Sequence, residues 1–125
     1  MSENDIARQV YQCALTVHRR LGAGLLESAY EECLAYELRK SGLYVERQKG
    51  LLLIYDEIQL DVGYRLDLLV ENKVIVELKA VERLADIHVA QLITYLKLSG
   101  CKLGLLINFN VTLLKDGVRR LVNNL

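Results

Sequence analysis

The sequence predicts a single layered domain of the α/β (α+β) class spanning residues 1–125. Three observations carry that expectation. Two successive N-terminal stretches repeat apolar residues at helical spacing, and the middle of the chain turns to β-rich sequence. Residues 103–109 then form a near-continuous apolar run, the mark of a strand buried on both faces.

Ile6, Val10, Cys13, Val17 and Leu21 recur at spacings of three and four, which puts them on one stripe of a first helix. Gly22-Ala-Gly24 breaks that pattern, because glycine is a poor helix interior and takes positive φ at no steric cost. A second helix follows with Leu26, Tyr30, Cys33, Leu34 and Leu38 on one face, ending near Ser41-Gly42, where glycine suits the C-cap. Residues 44–70 are β-rich with a turn near Tyr55-Asp56-Glu57, and residues 74–80 read as another strand. Residues 84–99 read as a helix closed by Gly100. Lys115-Asp116-Gly117-Val118 carries the Asp-Gly turn signal, so the tail is expected to form a short hairpin or edge strand.

Hydrophobic residues make up 52% and charged residues 26% of the chain, ordinary globular usage that excludes disorder. No apolar stretch approaches the ~20 residues of a membrane span, and the acidic start is unlike a secretory leader, so a cytoplasmic protein with no membrane association is expected. Sixteen basic and sixteen acidic residues give zero formal charge, which argues against a purely electrostatic nucleic-acid binder. The balance is uneven: five bases and one acid in residues 97–125 suggest a modestly basic C-terminal edge. Cys13, Cys33 and Cys101 lack paired metal-ligand spacing, and the first two fall in apolar helical registers, as buried thiols do.

The stretch that carries chemistry is residues 64–80, two strands joined at Glu71-Asn72-Lys73. A three-residue loop sets Val70 opposite Val74, Leu68 opposite Val76 and Leu66 opposite Leu78, giving one uniformly apolar face. The other face then pairs Asp67 with Glu77, Arg65 with Lys79 and Leu69 with Ile75. A two-residue loop would mix polar and apolar side chains on both faces, so the segregated register is expected. Two carboxylates directly across a strand pair, with Cβ atoms about 5 Å apart, destabilise each other unless something offsets their charge. Lys79 on the same face is one candidate. A divalent cation is another, since Mg²⁺ needs only one or two protein carboxylates besides its waters. A plain salt-bridge cluster of Arg65, Asp67, Glu77 and Lys79 on a solvated face fits the same four residues.

On the helix that follows, His88, Gln91 and Tyr95 share a face at spacings of three and four. They are groups able to hydrogen-bond a phosphate, though each is equally at home as a surface or core-rim residue. Glu27 lies at the border of the second helix's apolar stripe, where a carboxylate can reach into a cleft or simply favour its own helix N-terminus.

Taken together, these residues resemble a known group. Gly24-Leu-Leu-Glu27-Ser-Ala-Tyr30 matches the motif of the GxxExxY protein family. Asp67 followed by Glu77-Leu78-Lys79 resembles the signature of the PD-(D/E)xK nuclease superfamily, and Gln91-Leu-Ile-Thr-Tyr95 resembles the QxxxY pattern of its RecB-like and Cas4-like branches. The likeness runs from about Val10 to the end, with no departure at a motif position. It implies a restriction-endonuclease-like core, a central mixed β-sheet flanked by helices. By that analogy Asp67, Glu77 and the Leu78 backbone carbonyl hold Mg²⁺ or Mn²⁺, and Glu27 completes the acidic cluster directly or through water. Lys79 orients or deprotonates the attacking water. Gln91 and Tyr95, with Tyr30, Arg65 and His88 around them, support the site or contact nucleic acid.

The function expected from this constellation is metal-dependent hydrolysis of phosphodiester bonds of DNA, or of RNA as the second choice of substrate. The competing expectation is a non-catalytic nucleic-acid- or protein-binding module that retains the fold. A homodimer sharing a groove is a third possibility, because one 14.2 kDa subunit offers little surface to a duplex.

Overall fold

Ser2 opens the first helix with a capping box. Its hydroxyl accepts the Asp5 N–H at 3.2 Å, and the Asp5 carboxylate accepts the Ser2 N–H in return. In the computed structural model, which describes residues 1–125, this helix (α1, Glu3–Leu21) buries Ile6, Val10, Cys13, Ala14 and Val17. The spacing-derived stripe is thus the packed one, except that Leu21 at the helix end is 38% exposed. Gly24, at φ 96°, turns the chain into α2 (Glu27–Lys40), which buries Tyr30, Leu34, Ala35 and Leu38. No helix is long and apolar enough to cross a membrane.

The strands are β1 (Val45–Gly50), β2 (Leu53–Tyr55), β3 (Ile58–Leu60), β4 (Arg65–Val70), β5 (Val74–Lys79), β6 (Leu103–Asn108) and β7 (Val118–Val122), with α3 (Asp86–Ser99) between β5 and β6. Five of them form a mixed sheet in the order β1-β4-β5-β6-β7. Only β5 and β6 are parallel, and α3 supplies the crossover a parallel pair requires. The β-rich middle segment resolves into more strands than its sequence delimits. Leu51-Leu52 and residues 61–64 interrupt it, leaving β2 and β3 as a separate hairpin that turns at Asp56 and Glu57.

The helices pack on both faces. The pair α1–α2 covers one face over Leu68, Val70, Val74, Val76, Leu78 and the inward residues of β6. On the other face α3 covers Leu66, Leu69, Ile75 and Leu106. All six residues of β6 are buried, as its unbroken apolar run predicts. The Asp-Gly signal takes a different form. Asp116 and Gly117 belong to a 3₁₀ turn (Leu114–Gly117) at the end of a long connection, and the strand it feeds, β7, is the predicted edge strand carrying Arg119 and Arg120. Gly117 is required by crowding, because a Cβ there would overlap the Asn108 carbonyl oxygen. All three cysteines are free thiols; Cys13 is buried as expected, but Cys33, expected to be buried too, is only half-buried at the edge of the α1–α2 core, and Cys101 is half-buried as well.

The β4–β5 register is the segregated one as far as it runs, with Val70 opposite Val74, Leu69 opposite Ile75 and Leu68 opposite Val76. Glu71 and Asn72 both take positive φ in the connection, and the Lys73 N–H closes it on the Val70 carbonyl at 3.0 Å. Beyond Leu68 the expectation needs correction. The ladder stops, and Leu66 does not continue the apolar face with Leu78 but joins the cluster beneath α3. The alternation is interrupted at Asp67.

Candidate functional site

Where the ladder stops, side chains take over its hydrogen bonds. The Asp67 N–H donates to Glu77 Oε2 at 2.7 Å, and the Leu78 N–H donates to Asp67 Oδ2 at 2.8 Å. Each carboxylate therefore satisfies a backbone donor on the neighbouring strand that a regular ladder would have paired with a carbonyl. This exchange fixes both side chains between the strands and leaves one oxygen of each less committed. Asp67 lies near the start of β4 and Glu77 near the end of β5, so both fall at the C-terminal end of the parallel β5–β6 pair, where ligands of α/β sheets bind.

The electrostatics are unfavourable without a cation. Glu77 is only 5% exposed, and burial, followed by the charge of Asp67, pushes its carboxyl up to about 8. The Asp67 N–H and Lys79 oppose that rise. Asp67 is also raised, chiefly by burial and further by the nearby charge of Glu27, against the pull of the Leu78 N–H, Gln48 and Lys79. No ion pair links Lys79 or Arg65 to either acid; the ion pairs of the chain are Arg8–Asp5, Arg47–Glu31, Arg47–Glu32 and Lys49–Glu46. The alternative of a four-residue salt-bridge cluster on a solvated face is thereby overturned.

Three residues beside the pair have no place in the sequence-based reading. Glu31, on the same face of α2 as Glu27 one turn away, is buried and accepts from Arg47 at 3.1 and 3.2 Å and from Gln48 at 2.7 Å. Gln48 Nε2 also lies 3.4 Å from Asp67 Oδ1, tying the α2 acid to the β4 acid. Gln48 adopts φ 51° in mid-strand, a conformation glutamine rarely takes and one that clusters at functional sites. The Glu27/Glu31 spacing was a usable signal in the sequence; the strained Gln48 left none. Asn108, which follows the apolar run of β6, is buried and holds the chain after β5 by bonding Val81 through both its N–H and its carbonyl.

The remaining candidates divide. Glu27 is exposed at the start of α2, close enough to act on the charge of Asp67. Tyr30 is fully buried, stacked on Phe109 with ring centroids 4.5 Å apart. Its hydroxyl donates to the Gly22 carbonyl at 2.6 Å and accepts the Leu25 N–H at 3.1 Å. It therefore staples the glycine loop that precedes Glu27, which explains the motif spacing, and it is not positioned to touch nucleic acid. Tyr95 is buried against the site: after burial, the nearby Glu77 charge is the largest influence raising its phenol, with Tyr64 and Asp67 adding to it. Gln91 is exposed and lines a groove with Tyr95. His88 turns back to its own helix, Nδ1 accepting the Ala85 N–H at 3.0 Å, and Arg65 turns away over Gly50. Neither joins the acids.

No three acidic, histidine or cysteine side chains converge within ligating reach of one point, so Glu27 does not close a three-carboxylate cage with Asp67 and Glu77. The donor set still fits a hard divalent cation. Two carboxylates, both raised by burial, Glu77 further by the charge of Asp67 and Asp67 further by that of Glu27, provide oxygen ligands, and Mg²⁺ is commonly held by one or two carboxylates with water completing its shell.

A family model described as the PD-(D/E)XK nuclease superfamily matches residues 4–121, and the mixed five-stranded sheet flanked by three helices is the α/β arrangement of such a core. No curated protein and no solved structure matches the chain.

Proposed function

This chain belongs to the PD-(D/E)XK nuclease superfamily, and from that premise we propose that it is a divalent-metal-dependent nuclease hydrolysing phosphodiester bonds of DNA. The observation that carries the reading is the pair of buried Glu77 and half-buried Asp67, each acid held by a backbone N–H and neither in an ion pair with a basic side chain. An arrangement that is costly alone and relieved by a cation is what a metal-dependent site requires. On its glycine-loop and QxxxY motifs we read the chain as a GxxExxY family member of the RecB/Cas4-like branch, acting in the cytoplasm.

In this reading Asp67, Glu77 and the Leu78 carbonyl hold Mg²⁺ or Mn²⁺, with Glu27 joining through water. The cation, when bound, supplies a nucleophilic water and stabilises charge on the phosphate. Lys79 would orient the attacking water and offset the negative charge that grows as the bond to the leaving sugar oxygen breaks. Glu31, Arg47 and Gln48 keep Asp67 in place, and Tyr30 keeps Glu27 in place.

The test is cleavage of labelled single-stranded, duplex and flapped substrates with Mg²⁺ or Mn²⁺. Cleavage is expected to stop with EDTA and in Lys79→Ala and Asp67→Asn, while the melting transition of Lys79→Ala stays where it is. No cleavage of any substrate, or equal cleavage by Lys79→Ala, refutes the proposal. Salt-sensitive nucleic-acid binding that survives both Asp67→Ala and Glu77→Ala would then identify a non-catalytic module.

A further inference from the structure

A groove of about 300 Å³ lies between α3, β2 and the segment entering β4. Leu53, Tyr64, Ile87 and Leu98 supply its apolar walls, and Gln91 and Thr94 supply neutral polar groups. It opens on the sheet face that carries the acidic pair, because Tyr95 lines the groove and packs in one cluster with Leu66, Leu69 and Ile75, the neighbours of Asp67 and Glu77 on that face. Tyr64, its ring tilted against that of Tyr95 with centroids 6.1 Å apart, is 42% exposed, and Ile87 is 70% exposed. No lysine, arginine, aspartate or glutamate lines the groove, so a phosphate would meet no counter-charge there.

We propose that this groove receives an unpaired nucleobase of the strand being cut, so that the substrate is single-stranded or frayed nucleic acid rather than intact duplex. The inference rests on the nuclease reading of the Asp67/Glu77 pair. A base is the uncharged, flat part of a nucleotide, and aromatic and apolar walls accept any base by stacking. An exposed amide and hydroxyl at Gln91 and Thr94 can each donate and accept, which suits base edges without selecting one sequence. The scale agrees, because small-ligand sites run from roughly 300 Å³ upward. A base inside a duplex can reach such a groove only by being unpaired and unstacked, which favours strands already open.

The test separates binding from cutting. Fluorescence polarisation in EDTA compares a labelled single strand, the same strand carrying consecutive abasic positions, and a blunt duplex, for the wild type, Tyr64→Ala, Tyr64→Phe and Ile87→Ser. The wild type is expected to bind the intact strand roughly five- to a hundred-fold more tightly than the abasic strand or the duplex. Tyr64→Ala and Ile87→Ser should shrink that ratio, and Tyr64→Phe should keep it. Ile87→Ser changes an exposed side chain and so reports even if Tyr64→Ala folds poorly. Equal binding of intact and abasic strands by the wild type, an unchanged ratio in Ile87→Ser, or no binding of any strand overturns the proposal. So does a shift from dimer to monomer in Ile87→Ser by light scattering, which would assign the groove to a second copy of the chain. Base-dependent binding without cleavage in Mg²⁺ or Mn²⁺ refutes the nuclease reading alone; cleavage of duplexes with no base dependence refutes the groove alone.

Discussion

Glu77→Gln should make the metal-free protein more stable at high pH while removing its response to divalent cations. The side chain is 5% exposed, its Oε2 already accepts the Asp67 N–H, and a glutamine amide oxygen can keep that bond. What the amide removes is the buried charge beside Asp67. A glutamate carboxyl ordinarily titrates near 4.5, and this one is pushed up to about 8. Because the folded state holds the proton more tightly than the unfolded chain, the associated stability is fully present below pH 4.5 and is lost as pH rises through about 8. At 1.36 kcal/mol per pH unit the loss is about 5 kcal/mol for the wild type. The buried amide N–H₂ offsets part of the gain unless Asp67 accepts from it, at a cost of about 1–3 kcal/mol. A net gain of about 2–4 kcal/mol at pH 9 follows, or very roughly 6–15 °C in melting temperature. Thermal and urea unfolding in EDTA at pH 5, 7 and 9 measures it, and the difference between the two proteins isolates this group from the histidines. A wild-type melting temperature rising with Mg²⁺ and a mutant one that does not complete the expectation. Stability parallel in the two proteins across that pH range would refute the reasoning, since some unrecognised partner would then be compensating Glu77.

Three further outcomes test the surroundings. Tyr30→Phe strips the Gly22 carbonyl and Leu25 N–H of their shared partner and should lower stability by about 1–3 kcal/mol in urea titrations; no loss would mean the glycine loop is held otherwise. Glu31→Ala leaves Arg47 and Gln48 without their buried acceptor and should cost about 2 kcal/mol, less than a fully buried pair because Arg47 is 34% exposed; a loss under about 0.5 kcal/mol, the range of ordinary surface substitutions, would contradict the packing described. Gly117→Ala forces a Cβ into the Asn108 carbonyl and should cost about 1–3 kcal/mol by thermal unfolding, and an unchanged melting temperature would show that the 3₁₀ turn gives way freely.

The regular parts of the molecule were legible because periodicity reports burial. The stripes of α1 and α2, apart from Leu21 at the end of the first helix and the N-cap Leu26 of the second, which is 77% exposed, the doubly buried β6 and the Val70–Val74 register all follow from where apolar residues fall. The acidic pair was legible for the same reason: segregating the apolar face put Asp67 and Glu77 together. Its geometry was not. Carboxylates replacing two ladder hydrogen bonds, and Leu66 passing to the opposite layer, are breaks in a period, and a break carries no periodic signature. Gln48 shows the same limit, since a glutamine at positive φ is imposed by its partners in space, not by its neighbours in sequence. A shared helix face with Gln91 and Tyr95 points His88 at the site and strand register points Arg65 there, yet each finds a backbone partner close to its own position.

The crossover through α3 bears on the order of assembly. The β4–β5 hairpin closes through a local turn, whereas pairing β6 with β5 must close the longer connection that carries α3, and such long closures form slowly. The expected consequence is that Asp67 and Glu77 lose their water late, after the folding barrier. Chevron plots at pH 6 and pH 9 would register this as an unfolding limb that moves and a refolding limb that does not; the reverse pattern would mean the two acids lose their water before the barrier is crossed.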